Sequence, residues 1–378
     1  MKIGVVCPYD IHRPGGVQTH IRDCVRTLKE LGHVAKIIAP GPAPKGWNGG
    51  DIIHLGAMRP INFNETRFEI TIARGVEKRQ LETVLRDEAF DVLHFHTMWT
   101  PIMPFQLFRR STCANVATFH DTPPPTLSGF LTRQLFRLIS LFLLPRLDGV
   151  IAVSEAPARH LVGQRRCGLH ILPPCTDLSR YSAPHQPIDA YRDGKLNVLY
   201  LSRLERRKGI YQLLDAHARL RRRGLDARLI VVGDGEDAGA VRDHVAAEAL
   251  PEVVLLGRVS EEDKLRLLAT CDIFCAPSLH GESFGIVLVE AMASGKPVAA
   301  AANLGYRSVL TDEAADFLTR PGDADDLADK LAQLLQDAEL RRRLGEWGRR
   351  EAERYDCGTV VPQLVEIYEN ALAHHPTR

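Results

Sequence analysis

Little in this chain points to disulfide, zinc or nucleic-acid chemistry. Its eight cysteines (Cys7, Cys24, Cys113, Cys167, Cys175, Cys271, Cys275 and Cys357) form no C-x2-C pair and keep no regular spacing. Reduced core thiols are therefore expected. Cys275 falls in the strand-like run Asp272-Ile-Phe-Cys-Ala-Pro277, which Cys271 immediately precedes, and packing outweighs metal binding as the reading. A formal net charge of only +1 excludes bulk electrostatic capture of nucleic acid and leaves attraction to anions to local patches. No secretory leader is read, because Met1-Lys-Ile-Gly-Val-Val-Cys-Pro8 has the pattern of a short buried strand, and a cytoplasmic location is expected. The most apolar stretch, residues 127–144, is interrupted by Arg133 and Arg137. A spanning helix needs roughly 20 mostly apolar residues, so this stretch is not expected to cross a bilayer.

What is present is a repeated rhythm of β-branched runs and amphipathic helical patterns, the signature of parallel sheets with crossover helices. At 378 residues the chain suits two domains of similar size. Strands are predicted at 2–7, 34–38, 92–95, 114–118 and 149–153, and again at 197–201, 227–232, 253–256, 273–276 and 297–300. Pro173, Pro174, Pro184 and Pro187 punctuate a polar stretch at 173–194, read as the connection between domains. The first domain then spans 1–172 and the second 195–356. Residues 338–373 read as helical with a break at Tyr355-Asp-Cys-Gly-Thr359, and the segment from about 357 to 378 is expected to return to the first domain.

The richest segment is His280-Gly-Glu-Ser-Phe-Gly-Ile-Val-Leu-Val-Glu-Ala-Met-Ala-Ser-Gly-Lys-Pro-Val298. It sets Glu282 and Glu290 on either side of a small turn that runs into a helix. The first amides of a helix lack partners and carry partial positive charge, so Ser283, Phe284, Gly285, Ile286 and Val287 can offer N–H groups to an anion. Glu290, two turns on, is placed to accept the hydroxyls of a ribose. Two solvated glutamates around an ordinary turn would be the plain alternative, but so long a pattern is hard to match by chance.

Open α/β sheets bind ligands at the carboxyl ends of their strands, and further candidates fall there. After the first strand comes Arg13-Pro-Gly-Gly-Val-Gln18, in which Gly15 and Gly16 let the backbone approach a diphosphate or sugar. After the first strand of the second domain comes Ser202-Arg203-Leu-Glu-Arg-Arg-Lys208-Gly209. Arg203 and Lys208 are read as the cations that stabilise a departing nucleoside diphosphate in place of a divalent metal; Arg206 reads as solvated and Arg207 is open. His120 ends the run Val116-Ala-Thr-Phe-His120, placed to meet a sugar hydroxyl. His94 and His96 invite a metal reading but show no third ligand at suitable spacing, and no metal site is assigned. Asp323-Ala-Asp325-Asp326 follows Pro321-Gly322 and reads as a helix N-cap.

Together, Gly15-Gly16, Arg203 with Lys208, and Glu282-x7-Glu290 resemble glycosyltransferase family 4. Within it, Ile3-Gly-Val-Val-Cys-Pro-Tyr9, Pro14-Gly-Gly-Val-Gln18, Ala117-Thr-Phe-His120 and the 281–293 motif are similar to the bacterial phosphatidyl-myo-inositol mannosyltransferases. The resemblance implies an α/β chain of the GT-B fold: two Rossmann-like parallel-sheet domains facing a central cleft, with the C-terminal helix crossing back to the first. It implies a retaining transferase moving mannose from GDP-mannose to a phosphatidylinositol-type lipid through an oxocarbenium-like transition state. No cofactor is required beyond the nucleotide-sugar donor, with at most a loosely bound magnesium ion.

By the same resemblance Arg203 and Lys208 clamp the diphosphate, which Gly16 touches, and Glu282 holds the transferred sugar. Glu290 holds the ribose, and Val259, Glu261 and Lys264 read the base. Gln18, Asn64 and Arg67 fall near the acceptor's inositol phosphate. Glutamate at 261 replaces the family's aspartate, and Phe63 its tyrosine. A UDP-sugar donor with another lipid or soluble polyol acceptor is therefore the nearer alternative; an epimerase or a binding-only descendant is the remoter one. A lipid acceptor implies peripheral contact with an anionic membrane at its inner face. Two surfaces qualify: a helix with Arg74, Lys78, Arg79 and Arg86, and the 130–144 segment, which reads equally as a core helix.

Overall fold

A computed structural model describes the chain except residues 14, 44–49, 64–65, 99–102, 164, 166, 251 and 377–378; for 57–70 only the backbone is described. The chain divides into two compact units, Met1–Thr176 with Tyr355–Arg378, and Asp177–Arg354. The stretch 173–194 divides between them, and residues 177–194 pack as part of the second unit.

In the first unit β1 (Lys2–Val6), β2 (Val34–Ala39), β3 (Ile52–His54), β6 (Val92–His96), β7 (Ala114–Phe119), β8 (Gly149–Ala152) and β9 (Leu169–Ile171) form one sheet in the order β3-β2-β1-β6-β7-β8-β9, and every pairing is parallel. The central strands β1, β6, β7 and β8 are buried on both faces, which explains their continuous apolar runs. One face packs on helix Gly16–Glu30 and on the C-terminal helix Cys357–His374; the latter buries Val360, Val361, Leu364 and Tyr368 against Ile3, Val5, Val116 and Ile151. A separate antiparallel hairpin, β4 (Ala57–Phe63) and β5 (Thr66–Ile72), pairs Phe63 with Thr66. Sequence reading missed it, although two residues separating alternating runs are a hairpin signal.

The second unit repeats the plan with β10 (Leu196–Leu201), β11 (Ala227–Val232), β12 (Val253–Gly257), β13 (Ile273–Ala276), β14 (Val298–Ala301) and β15 (Leu318–Thr319), ordered β12-β11-β10-β13-β14-β15. In both sheets the first strand lies between the second and the next strand that crosses to its other side. At this reversal the connecting helices leave to opposite faces and open a crevice at the strand ends. The loops after β10 and β13 meet there. Leu279 N–H donates to the Arg207 carbonyl at 2.8 Å, and Gly209, at φ +75°, lies so near Pro277 that an added Cβ would stand 2.0 Å from its carbonyl oxygen.

Helix Leu127–Leu143 departs from the usual amphipathic pattern. Thr126 caps it, accepting from Gly129 N–H at 3.1 Å, and its buried residues are Gly129, Thr132, Ser140 and Leu143. Leu127, Phe130, Leu131, Leu135, Leu138, Leu141 and Phe142 are exposed. With the following turn to Arg146 it is long and apolar enough to cross a membrane by length and composition.

Candidate functional site

At the strand ends of the second sheet, cations and acids alternate. Arg203 Nη1 lies 2.5 Å from Glu205 Oε1, Arg207 Nε 2.9 Å from Glu205 Oε2, Arg207 Nη1 3.7 Å from Glu282 Oε1, and Lys208 Nζ 2.5 Å from that same oxygen. The chain of contacts thus carries three positive and two negative charges. Only Arg203 is half exposed; the side chains of Arg207, Lys208 and Glu282 keep 10–14% of their accessible surface. Burial pushes the Glu282 carboxyl up, but the charges of Lys208 and Arg207, with hydrogen bonds from Lys208 and Ser278, outweigh it and hold the group below its ordinary value. Burial, with Arg207 and Arg203 nearby, lowers the Lys208 ammonium against the opposing pull of Glu282. The sequence left Arg207 open and passed over Glu205, because nothing in a run of basic residues tells which of them turns inward.

Phe284 is buried and Gly285, at φ +118°, is the N-cap of helix Ile286–Ala293, with no side chain capping that end. An added Cβ on Gly285 would stand 2.7 Å from the Tyr306 ring. Helix Ile286–Ala293 therefore starts without a side-chain cap directly after this turn, an arrangement that suits an anion.

A second cluster lies on the same unit. Glu290 Oε1 accepts from the Tyr181 hydroxyl at 2.7 Å and from Lys264 Nζ at 2.9 Å, and Lys264 Nζ also lies 2.9 Å from that hydroxyl. Glu261, exposed in the first turn of a helix capped by Ser260, approaches Lys264 at 3.5 Å; Val259, half-buried, precedes that cap. Tyr181 comes from the stretch read as a connection, and sequence alone gave no reason to place it here. Both bonds fall on Oε1 and hold the Glu290 carboxylate. Tyr181→Phe is expected to raise the Michaelis constant for the donor about three- to tenfold, the loss of one charge-assisted hydrogen bond, with kcat nearly unchanged; a steady-state split of the two constants checks this.

In the first unit Gly15 is the N-cap of the helix that starts at Gly16, and the Gln18 amide folds back to donate to the Asp10 carbonyl at 3.3 Å. Arg67 lies on β5, its side chain outside the described part, and Asn64 lies outside the described residues. His120 follows β7 and does not stand alone. Its Nε2 is 2.8 Å from His96 Nδ1, and His94 bridges the Tyr368 hydroxyl and Thr118 Oγ1, each at 2.7 Å. His20, from helix Gly16–Glu30, accepts from Cys175 N–H at 3.0 Å.

Ring nitrogens of His20, His96 and His120 lie within 4.8 Å of one another. The fold thus supplies neighbours to His96 that spacing along the chain did not reveal. A shared proton between His96 and His120 accounts for their contact. At the other acidic motif Asp323 accepts from Asp325 and Asp326 N–H groups as the helix N-cap.

Burial pushes His20 down to about 4 and His94 to about 3, and holds His96 and His120 well below the usual imidazole value. These groups are neutral when folded and bind protons when unfolded. The stability they confer is present above pH 6.5 and is lost as pH falls towards 4 and 3. Buried Asp121, raised to about 6, acts in the opposite direction, but it is one group against four. The urea midpoint of unfolding is therefore expected to fall steadily from pH 6.5 to 4; a midpoint flat over that range contradicts it.

Comparison with known proteins decides the family. The glycosyltransferase family 4 model matches residues 14–180, and the model for glycosyl transferases group 1 matches 185–351. A phosphatidyl-myo-inositol mannosyltransferase of Mycobacterium leprae is 32% identical over 98% of this chain and 96% of its own. The chain belongs to glycosyltransferase family 4. A second phosphatidyl-myo-inositol mannosyltransferase, from Propionibacterium freudenreichii, is also 32% identical, covering 100% of this transferase and 97% of its own chain. Among solved structures, a sucrose-phosphate synthase from Thermosynechococcus elongatus superposes with a TM-score of 0.77 at 21% identity, covering 98% of this chain and 99% of its own. Anabaena HepE in complex with UDP-glucose superposes at 0.76 with 20% identity, covering 98% and 99%. The two Rossmann-like units are those of the GT-B fold, and the chain is a glycosyltransferase.

Proposed function

We propose that this glycosyltransferase moves mannose from GDP-mannose to a phosphatidylinositol-type lipid at the inner face of the membrane, with retention at the anomeric carbon. The observation that carries the reading is the likeness, over nearly the whole chain, to enzymes named for that acceptor and that sugar. Lys208, Arg203 and Arg207 take the diphosphate, the amides from Ser283 to Val287 add their dipoles, Glu282 orients the sugar hydroxyls, and Glu290, held by Tyr181 and Lys264, takes the ribose. Gly15 and Gly16 let the backbone approach the diphosphate, and Gln18, Asn64 and Arg67 serve the acceptor.

As the bond from the anomeric carbon to the phosphate oxygen breaks, charge builds on that oxygen, where the cations stabilise it most. The acceptor hydroxyl attacks the same face and gives its proton to the departing phosphate oxygen. Three fixed cations perform the neutralisation that a divalent ion performs elsewhere, so no metal is required; a loosely bound magnesium ion would be an addition. His120 offers a neutral imidazole to a sugar hydroxyl.

One observation favours a UDP-sugar as the second reading. Glu261 is exposed and Lys264 is committed to Glu290 and Tyr181, so the pair expected to read guanine is only loosely joined, at 3.5 Å. Incubation of the purified enzyme with radiolabelled GDP-mannose and phosphatidylinositol tests the proposal. A labelled mannolipid supports it; product from a UDP-sugar alone overturns the donor assignment.

A further inference from the structure

Three histidines from three separate elements converge in the first unit. His20 stands on helix Gly16–Glu30, His96 ends β6 and His120 follows β7. One nitrogen of each lies within 4.8 Å of the others, and no other trio of histidine, cysteine, aspartate or glutamate among the described residues comes together in this way. The neighbouring places of β1, β6 and β7 in the sheet make this possible, since the segments that follow these strands emerge side by side. The third nitrogen donor that spacing along the chain did not offer to His96 is thus supplied by the fold.

Hydrogen bonding within the group leaves it incomplete. His96 Nδ1 and His120 Nε2, 2.8 Å apart, share one hydrogen, while Nε2 of His96 is buried without a hydrogen-bond partner. A buried nitrogen in that position calls for an explanation in a native fold, and a bound ion is one. His94 differs, for both its nitrogens are used, on Tyr368 and Thr118. His20 turns Nδ1 to Cys175, 3.0 Å from its amide nitrogen and 3.1 Å from its carbonyl oxygen, which leaves Nε2 for another ligand. As a donor to that carbonyl, Nδ1–H makes the outer hydrogen bond that commonly orients a ligating histidine. Burial, and after it the neighbouring rings, hold His96 and His120 well below the usual imidazole value, and burial lowers His20 to about 4. All three rings are neutral near pH 7, the form in which imidazole binds a metal. Nitrogens on one zinc ion stand about 3.3 Å apart, given bonds of about 2.05 Å. The 2.8 Å contact and the 4.8 Å limit bracket that value. Small ring rotations close the site, and His120, half-buried where the other two are buried, has room for one.

We propose that His20, His96 and His120 bind one divalent transition-metal ion of the zinc class. An all-imidazole set suits such an ion, whereas magnesium and calcium take oxygen ligands. Each ring meets the ion through one nitrogen and keeps its hydrogen on the other, so the hydrogen bond between His96 and His120 is given up and no proton is lost. Three protein ligands leave a fourth position open. The ion takes no part in the transfer chemistry. It engages His120, and so it acts as a reversible inhibitor; that consequence rests on the role given to His120 under the proposed function, but the site itself does not.

The full chain, freed of metal with a chelator, is titrated with Co2+ alone and followed by visible absorption. The ligand-field band of four-coordinate cobalt is expected to saturate at one ion per chain, to be bleached by Zn2+ and to withstand a large excess of Mg2+. His20→Gln and His96→Gln should each weaken binding at least about a hundredfold, since loss of an outer partner alone costs about ten- to a hundredfold. His120→Asn, at the half-buried position, should do the same, and it carries the test if a buried substitution prevents folding. His54→Gln, in the stacked pair His12–His54 whose ring centroids lie 5.3 Å apart, should leave the band unchanged. The site is overturned if stoichiometric cobalt gives no band, if the band survives His120→Asn, or if it is lost with His54→Gln. Transfer from the sugar donor separates the site from the proposed function: Zn2+ should inhibit it, with the rate restored by chelator. A saturating band with transfer untouched upholds the site and overturns the role of His120, whereas transfer by a chain that gives no band overturns the site alone.

Discussion

Lys208→Ala should lower kcat with the sugar donor by about a thousandfold, the scale on which a fixed positive group at a developing phosphate charge acts. The change should also cost stability. Lys208 and Glu282 form a largely buried pair at 2.5 Å, and removing one partner leaves the other charge without its main counterion, at a cost of roughly 3 kcal/mol. Arg207, 3.7 Å from the same oxygen, keeps that cost towards the lower end. Lys208→Met/Glu282→Gln removes both charges and should restore most of the stability with none of the activity. Urea unfolding and single-turnover transfer on the three proteins separate the two effects. If Lys208→Ala retains activity within a few-fold, the diphosphate does not sit at this cation.

Gly209→Ala should be among the most damaging single methyl groups in the second unit. The position has φ +75°, and the added Cβ would lie 2.0 Å from the Pro277 carbonyl oxygen and 2.7 Å from its carbon. A backbone carbonyl cannot swing aside as a side chain can, so the loops after β10 and β13 must part, taking Lys208 from Glu282. A cost of about 3 kcal/mol or more is expected, with a weakened donor affinity. Gly224→Ala is the control: its φ is +76°, but nothing lies within 4 Å of the added atom. That variant carries only the left-handed conformational cost, about 1 kcal/mol. Equal losses for the two would show that the close approach of the loops is not what Gly209 serves.

The alternation of apolar runs placed ten of the strands to within a residue or so, because a strand buried on both faces has to be written in consecutive β-branched and aliphatic residues. Within the two parallel sheets, the runs it passed over are those with less to bury: β3, half-buried and three residues long, β9 and the two-residue β15. The site was legible where a local backbone shape is needed, at Glu282-x7-Glu290 and at Gly15-Gly16, since a helix start beside an anion constrains neighbours in the chain.

Sequence alone therefore determined the two α/β units, the family and the turn that opens helix Ile286–Ala293, all of which depend on residues close together along the chain. Only the tertiary structure decided that Arg207 and Glu205 join the ion network, that Tyr181 holds Glu290 across 109 positions, and that His20 and His120 flank His96. It alone decided that helix Leu127–Leu143 turns its leucines outward, where the same apolar letters had served a core helix equally well. Charge pairing and burial are set by distance in space. In a parallel sheet, strands that touch are separated by whole crossover helices, so no local pattern records which side chains meet.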